Sequence, residues 1–186
     1  SWLKLGGKLQ GFHLDNVLSD ISGDGSYDFG SNAISGIRLL GTSGGISLWF
    51  NTINLAGNLY RQDAIADVSA SLYIAATVTD LDIRNNILKN SLENINGIAR
   101  AYAVYSDAPP SSFLKINYND YYGGGAEGKL GYFNNEEIIT LDEWKLATSK
   151  DMNSLSIDPM FISAMDLVPS NPELENSGEY MASFPR

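Results

Sequence analysis

The chain has no cysteine among its 186 residues. Disulfides and thiolate metal sites are therefore excluded. A secreted protein need not carry disulfides, so the compartment stays open. Histidine occurs once, at His13, and a lone histidine is more often a surface or packing residue than a functional one. Basic residues are few: 12 Lys and Arg stand against 22 Asp and Glu, for a formal charge of -10. Such an acidic surface argues against non-specific binding to nucleic acid or to an anionic membrane, while leaving room for a local basic site. No apolar run approaches the roughly 20 residues that cross a bilayer, and no signal-peptide pattern is visible. Gly123-Gly124-Gly125 is followed by no Gly-Lys-Ser/Thr, so it is not a phosphate loop.

What the chain does have is a repeat. At 44% hydrophobic and 18% charged it is globular, and its length suits one domain. Leu81-Asp82-Ile83-Arg84 alternates apolar and polar residues, bends at Asn85-Asn86, and resumes with Ile87-Leu88. Alternation of period two is a strand with one buried face, and paired Asn marks a tight bend. The pattern recurs around Asn51 and Asn119, and more weakly around Asp15. Those bends are 36, 35 and 33 residues apart. Phe12, Leu48, Ile83 and Ile116 precede them by three positions and are predicted to face inward, as are Val17, Ile53, Leu88 and Tyr121 two positions after. An earlier strand in each unit reads Gly36–Leu40, Ser71–Ala75 and Tyr102–Tyr105, the last shorter by two or three residues. Repeats of 20 to 50 residues mean solenoids, propellers or arrays. No Asn-Gly or Asp-Gly hairpin turn repeats in register, so a parallel solenoid is favoured over propeller blades. Asn at the same corner of each coil would stack into a hydrogen-bonded ladder.

The end of the chain differs. Thr140-Leu141-Asp142-Glu143 is a capping box. Leu141, Trp144 and Leu146 offer apolar surface for a short helix over the last coil, and Lys150 sits near its end. Asp158-Pro159-Met160-Phe161-Ile162 reads as an edge strand. Polar excursions are predicted at 19–32, at 54–67 and from Gly123. No comparable cap precedes residue 10. Either Trp2–Leu5 covers that end as an added strand, or, as we favour, further coils precede it in a longer parent chain.

The "LDIRNNIL" rungs resemble right-handed parallel β-helix proteins of the pectin-lyase-like superfamily. The tail, "NYNDYYG", "YFNNEEIITLDEWKLATSKDMNSLSIDPMFIS" and "DLVPSNPELENSG", resembles the close of many bacterial secreted members. The likeness covers residues 9 to 178. It implies an all-β, right-handed parallel β-helix with a short C-terminal capping helix, forming one domain over 1–186. Coils would occupy about 9–122 and the cap about 123–186. It also implies a secreted or cell-surface location. The superfamily includes lyases, hydrolases, epimerases and non-enzymes, so the resemblance leaves the activity open.

Outward positions of the bend strand supply the candidate site. His13, Trp49, Arg84 and Asn117 lie two residues before the bends, and Asp82 and Lys115 four before. An aromatic ring flanked by charged and amide groups suits a sugar, the ring stacking and the polar groups bonding hydroxyls. Arg and Lys suit uronate carboxylates. A polysaccharide lyase needs a base and a neutralised carboxylate. The resemblance implies Arg or Lys as that base, with Ca²⁺ held by acidic residues, which makes Arg84, Lys115 and Asp82 the catalytic candidates. A glycosidase needs two carboxylates, and only Asp82 stands on this face. Asp82 and Arg84 read equally as a surface pair, and Trp49 as packing. Asp151, Asn153 and Asp158 carry oxygen ligands suited to Ca²⁺, but without EF-hand spacing they read as turn residues. The expected function is binding or processing of a polysaccharide. The rival is a non-catalytic structural or adhesin segment.

Overall fold

The computed structural model describes residues 3–5, 12–14, 16–19, 21, 23–29, 33–42, 44–62 and 66–181. In chain order the strands are β1 (Leu3–Leu5), β2 (Phe12–Leu14), β3 (Val17–Leu18), β4 (Ile34–Leu39), β5 (Ile46–Trp49), β6 (Thr52–Leu59) and β7 (Asp67–Ile74). There follow β8 (Leu81–Arg84), β9 (Ile87–Asn94), β10 (Ala99–Ser106), β11 (Phe113–Asn117), β12 (Asp120–Gly123), β13 (Gly128–Phe133) and β14 (Glu136–Ile138), then helix α1 (Leu141–Thr148).

Among the described residues these strands form three sheets. One runs β1-β4-β7-β10-β13-β14, a second β11-β8-β5-β2 and a third β12-β9-β6-β3. All the pairings are parallel except that of β13 with β14. Each strand lies beside its counterpart one repeat later: Ile37 opposite Leu72, Leu48 opposite Ile83, Ile53 opposite Leu88. The short third copy pairs Leu72 with Val104, a step of 32 residues. The chain is thus mostly β, built of parallel sheets. Residues at alternate positions, among them Leu39, Ile46, Leu48, Ile53, Leu55, Ile74, Leu81 and Ile83, make one buried cluster. The close approach of β4 to β6 requires a glycine. A Cβ on Gly36 would lie 2.5 Å from Ile53 Cγ2 and 2.7 Å from the Ser71 carbonyl. Gly36→Ala is therefore expected to cost about 1–3 kcal/mol by overpacking, measured by urea unfolding.

The corner between the second and third sheets carries the asparagines. Phe50, Asn85 and Tyr118 adopt φ of 56°, 58° and 57°, a left-handed conformation that side chains other than Gly resist. Each is followed by a ladder asparagine. The Oδ1 of Asn51 accepts from Asn16 N (3.1 Å), that of Asn86 from Asn51 N (3.0 Å), and that of Asn119 from Asn86 N (3.1 Å). Side-chain amides continue the chain, Asn51 Nδ2 to Asn86 and Asn86 Nδ2 to Asn119, both at 2.8 Å. Every turn thereby satisfies the next, which offsets the strained φ.

Register in the first unit differs from the sequence expectation. The ladder residue there is Asn16; Asp15 lies outside the described residues. Phe12 pairs with Ile46 and Leu14 with Leu48. Val17 pairs with Thr52 and is exposed, leaving Leu18 opposite Ile53. A single weak copy could not reveal this slip, because Asp and Asn both suit a bend. The second predicted excursion also shrinks, since Asn54 to Leu59 belong to β6. Residues 158–162 form no strand; Phe161 makes only an isolated bridge to Pro169. At the other end Leu3–Leu5 does form a strand, in parallel register with Ile37–Leu39.

The capping box stands. Thr140 Oγ1 accepts from Glu143 N, and the Glu143 carboxylate accepts from Thr140 N. Trp144 is fully buried against Tyr121 and Phe133. Leu146, predicted to pack, is 82% exposed, because α1 is short and turns only one face inward. The ladder ends here as well. Asn119 N donates to Ser154 Oγ (2.8 Å), and the Ser154 hydroxyl bonds Asp151. Asp151 also accepts from Tyr121 Oη (2.6 Å) and Trp144 Nε1 (2.7 Å).

Candidate functional site

The predicted face lies on the second sheet. Trp49, Arg84 and Asn117 occupy one register column, and His13, Ser47, Asp82 and Lys115 the next. His13 is thus one column away from its predicted place beside Trp49, a consequence of the first-unit slip. Arg84 lies 5.3 Å from the centre of the Trp49 ring. Its guanidinium donates twice to Asp82, through Nε (2.6 Å) and Nη2 (2.7 Å), and through Nη1 to Glu179. These bonds to Asp82, with Glu179 adding, hold its pKa above the ordinary arginine value despite burial. The guanidinium is thus committed to two carboxylates. Asn117 spends its Oδ1 on Tyr118 N and Asn153 N. Lys115 is exposed. It shares a depression of about 290 Å³ with Arg84, Lys150 and Glu179. Carboxylates balance the cations here, so the depression is not a strong anion trap.

Asp151, Asn153 and Asp158, read from the sequence as turn residues, have structural partners. Asp151 anchors the cap, and burial raises its pKa against the pull of its donors. Asp158 pairs with Lys89 at 2.7 Å. Asn153 contributes its backbone N–H to Asn117. Among the described residues no three His, Asp or Glu side chains converge as metal ligands.

A larger feature lies on the outer face of the six-stranded sheet. Register stacks Arg38, Tyr73, Tyr105 and Tyr132 in one column. Tyr105 and Tyr132 are parallel, with centroids 4.4 Å apart and planes within 5°. Tyr102 meets both edge-on. Phe29 arrives from the first excursion and stacks on Tyr73 at 4.6 Å. The excursion is pinned to the sheet by its backbone: Val68 N donates to Ser26 O (2.7 Å) and Arg61 N to Asp24 O (3.1 Å). Gly25 has φ 105°, and its missing Cβ would sit 2.5 Å from the buried carboxylate of Asp67. Asp67 in turn holds Arg61 and Asn94. Arg38 Nη2 donates to Phe29 O, fixing the ring from below.

Between excursion and sheet runs a groove of about 480 Å³, lined by these rings with Arg100, Asp28 and Asp107 at its margins. Those three charged side chains are exposed. Tyr73 Oη donates to Asp107 (2.8 Å) and Tyr102 Oη to Glu137 (3.0 Å). Burial, with the Asp107 bond adding, pushes the Tyr73 hydroxyl up to about 12. Burial raises Tyr102 and Tyr105 as well. All three stay neutral near pH 7, as polar handles on apolar rings. The signal was present in the sequence as an aromatic every 32 to 27 residues, at Tyr73, Tyr105 and Tyr132. Reading only the bend strand missed it.

Among the described residues no helix is long and apolar enough to cross a membrane. No protein-family model, curated protein or solved structure matches the chain.

Proposed function

We propose that the chain is a right-handed parallel β-helix of the pectin-lyase-like kind, a secreted or cell-surface module that binds a polysaccharide without processing it. Three parallel sheets, each gaining one strand per repeat, support the β-helix, as does the asparagine ladder at one corner. Right-handedness agrees with the rule for parallel crossovers.

The observation that carries binding is the aromatic groove. Its volume lies in the range of ligand sites, and it is mainly aromatic with a few polar groups at the edge. Rings that contact sugar C–H faces, beside an arginine and two carboxylates that bond hydroxyls, are the elements of glycan recognition. Binding is favoured over processing because Arg84 is tied to Asp82 and Glu179. The structural-segment reading has its own support. Tyr73 and Tyr102 are almost wholly buried and the rings stack on one another, as a purely structural ladder would.

The test is a binding screen with neutral and uronate oligosaccharides, with and without Ca²⁺. A Tyr105→Ala/Tyr132→Ala pair is expected to lose at least about tenfold in affinity, or about 1.4 kcal/mol. Trp49→Ala/Arg84→Ala is expected to leave it unchanged. A folded wild type that binds nothing supports the structural segment instead.

A further inference from the structure

The C-terminal segment 169–179 crosses the ladder corner. Pro169, Leu174, Ser177 and Gly178 line a pocket of about 170 Å³ together with Asn85, Asn86 and Asp120. Asn85 clamps the segment's end: its Oδ1 accepts from Glu179 N (2.7 Å) and its Nδ2 donates to Glu179 O (3.1 Å). The Glu179 side chain then reaches Arg84.

Beneath this segment lies an anomaly. Asp120 occupies the column of Thr52 and Ile87 and is 3% exposed. Its Oδ1 accepts from Ile157 N (3.0 Å), but its Oδ2 is buried with no hydrogen-bond partner. Among the described residues no Lys or Arg forms an ion pair with it. Lys89 on β9 is committed to Asp158, whose own charge adds to the repulsion. A buried carboxylate oxygen without a partner favours the neutral acid.

We propose that Asp120 is the proton-controlled seat of a C-terminal strap, residues 169–179, whose docking places Glu179 on Arg84. The protonated acid fits the buried seat, where Oδ2 has no hydrogen-bond partner. The carboxylate needs hydration that a seat only 3% exposed does not give, so ionisation favours the undocked strap and releases Arg84 from Glu179. The direction follows from linkage. Burial, with Asp158 adding and the Ile157 N–H and Lys89 opposing, raises docked Asp120 from 3.8 to about 7. Solvated by undocking, it returns towards 3.8. Docking is then strongest at low pH, weakens about tenfold per pH unit as pH rises from about 4 to 7, and levels off above that.

Hydrogen exchange tests this, read as the protection factor of the Glu179 amide after correction for the intrinsic rate. Between pH 5.5 and 8 it is expected to fall roughly thirtyfold in the wild type. Asp120→Asn, neutral at both pH values, is expected to vary less than about threefold. That arm also separates Asp120 from every other titratable group of the chain. Asp158→Asn is a second variant. It removes a repelling charge and releases Lys89, so the midpoint should move to lower pH. A flat wild-type profile, an equal fall in Asp120→Asn, or an unmoved midpoint in Asp158→Asn would overturn the proposal. The groove on the other sheet is untouched by these outcomes.

Discussion

Asn86→Ala is expected to lower the unfolding free energy by about 3–5 kcal/mol, the sum of a lost network and the groups it orphans. The side chain is 2% exposed. Its Nδ2 serves Asn119 Oδ1, Leu48 O (2.9 Å) and Arg84 O (3.0 Å), and its Oδ1 takes both Asn51 N and Asn51 Nδ2. Alanine leaves the buried Asn51 N–H with no acceptor at that site, and leaves the two carbonyls short of a donor. Each buried orphan costs about 1–3 kcal/mol. Its neighbour supplies the control. Asn85 has φ 58° and bonds only the strap through its side chain. Asn85→Gly keeps that φ at little steric cost and is expected to lose no more than about 1 kcal/mol. Guanidinium unfolding of both variants measures the difference. Equal small losses would mean that the ladder is not what holds the corners.

Trp144→Ala is expected to cost a similar amount, about 3–5 kcal/mol, and to change behaviour as well as stability. The indole fills the end of the core, 5.6 Å from Tyr121 and 5.5 Å from Phe133. Its N–H is one of the donors that hold Asp151, the residue which closes the ladder through Ser154. Removing it opens a cavity and weakens the ladder's end together. It also uncovers the last strands, and an uncovered strand edge invites association. Trp144→Phe keeps most of the packing but deprives Asp151 of a donor, for an expected loss of about 1–3 kcal/mol. Unfolding curves with light scattering check both. Ordinary solubility and a loss below about 1 kcal/mol in Trp144→Ala would contradict a capping role.

Much of this architecture was legible in the sequence. Alternation around Asn51, Asn86 and Asn119 fixed which residues face inward, since one buried face makes the period of two visible. The capping box was readable because both partners sit in one short window. The first unit was misread, by one position at the bend and by two in β2, because its bend offers both Asp15 and Asn16. The bond that tells them apart runs to Asn51, 35 residues away. The site was less legible for the same reason. Asp82 and Arg84 were seen as neighbours, but Glu179 reaches Arg84 from 95 residues on. Phe29 joins Tyr73 and Tyr105 only because Gly25, Ser26 and Arg38 hold its loop down. Such contacts leave no periodic trace.

Binding in the aromatic groove is the central claim, and tyrosine-ring-labelled NMR titration with oligosaccharides tests it most directly. The account predicts saturable shifts at Tyr105 and Tyr132, with Trp49 unmoved. Saturable binding that shifts Trp49 and leaves the two tyrosines in place would contradict it.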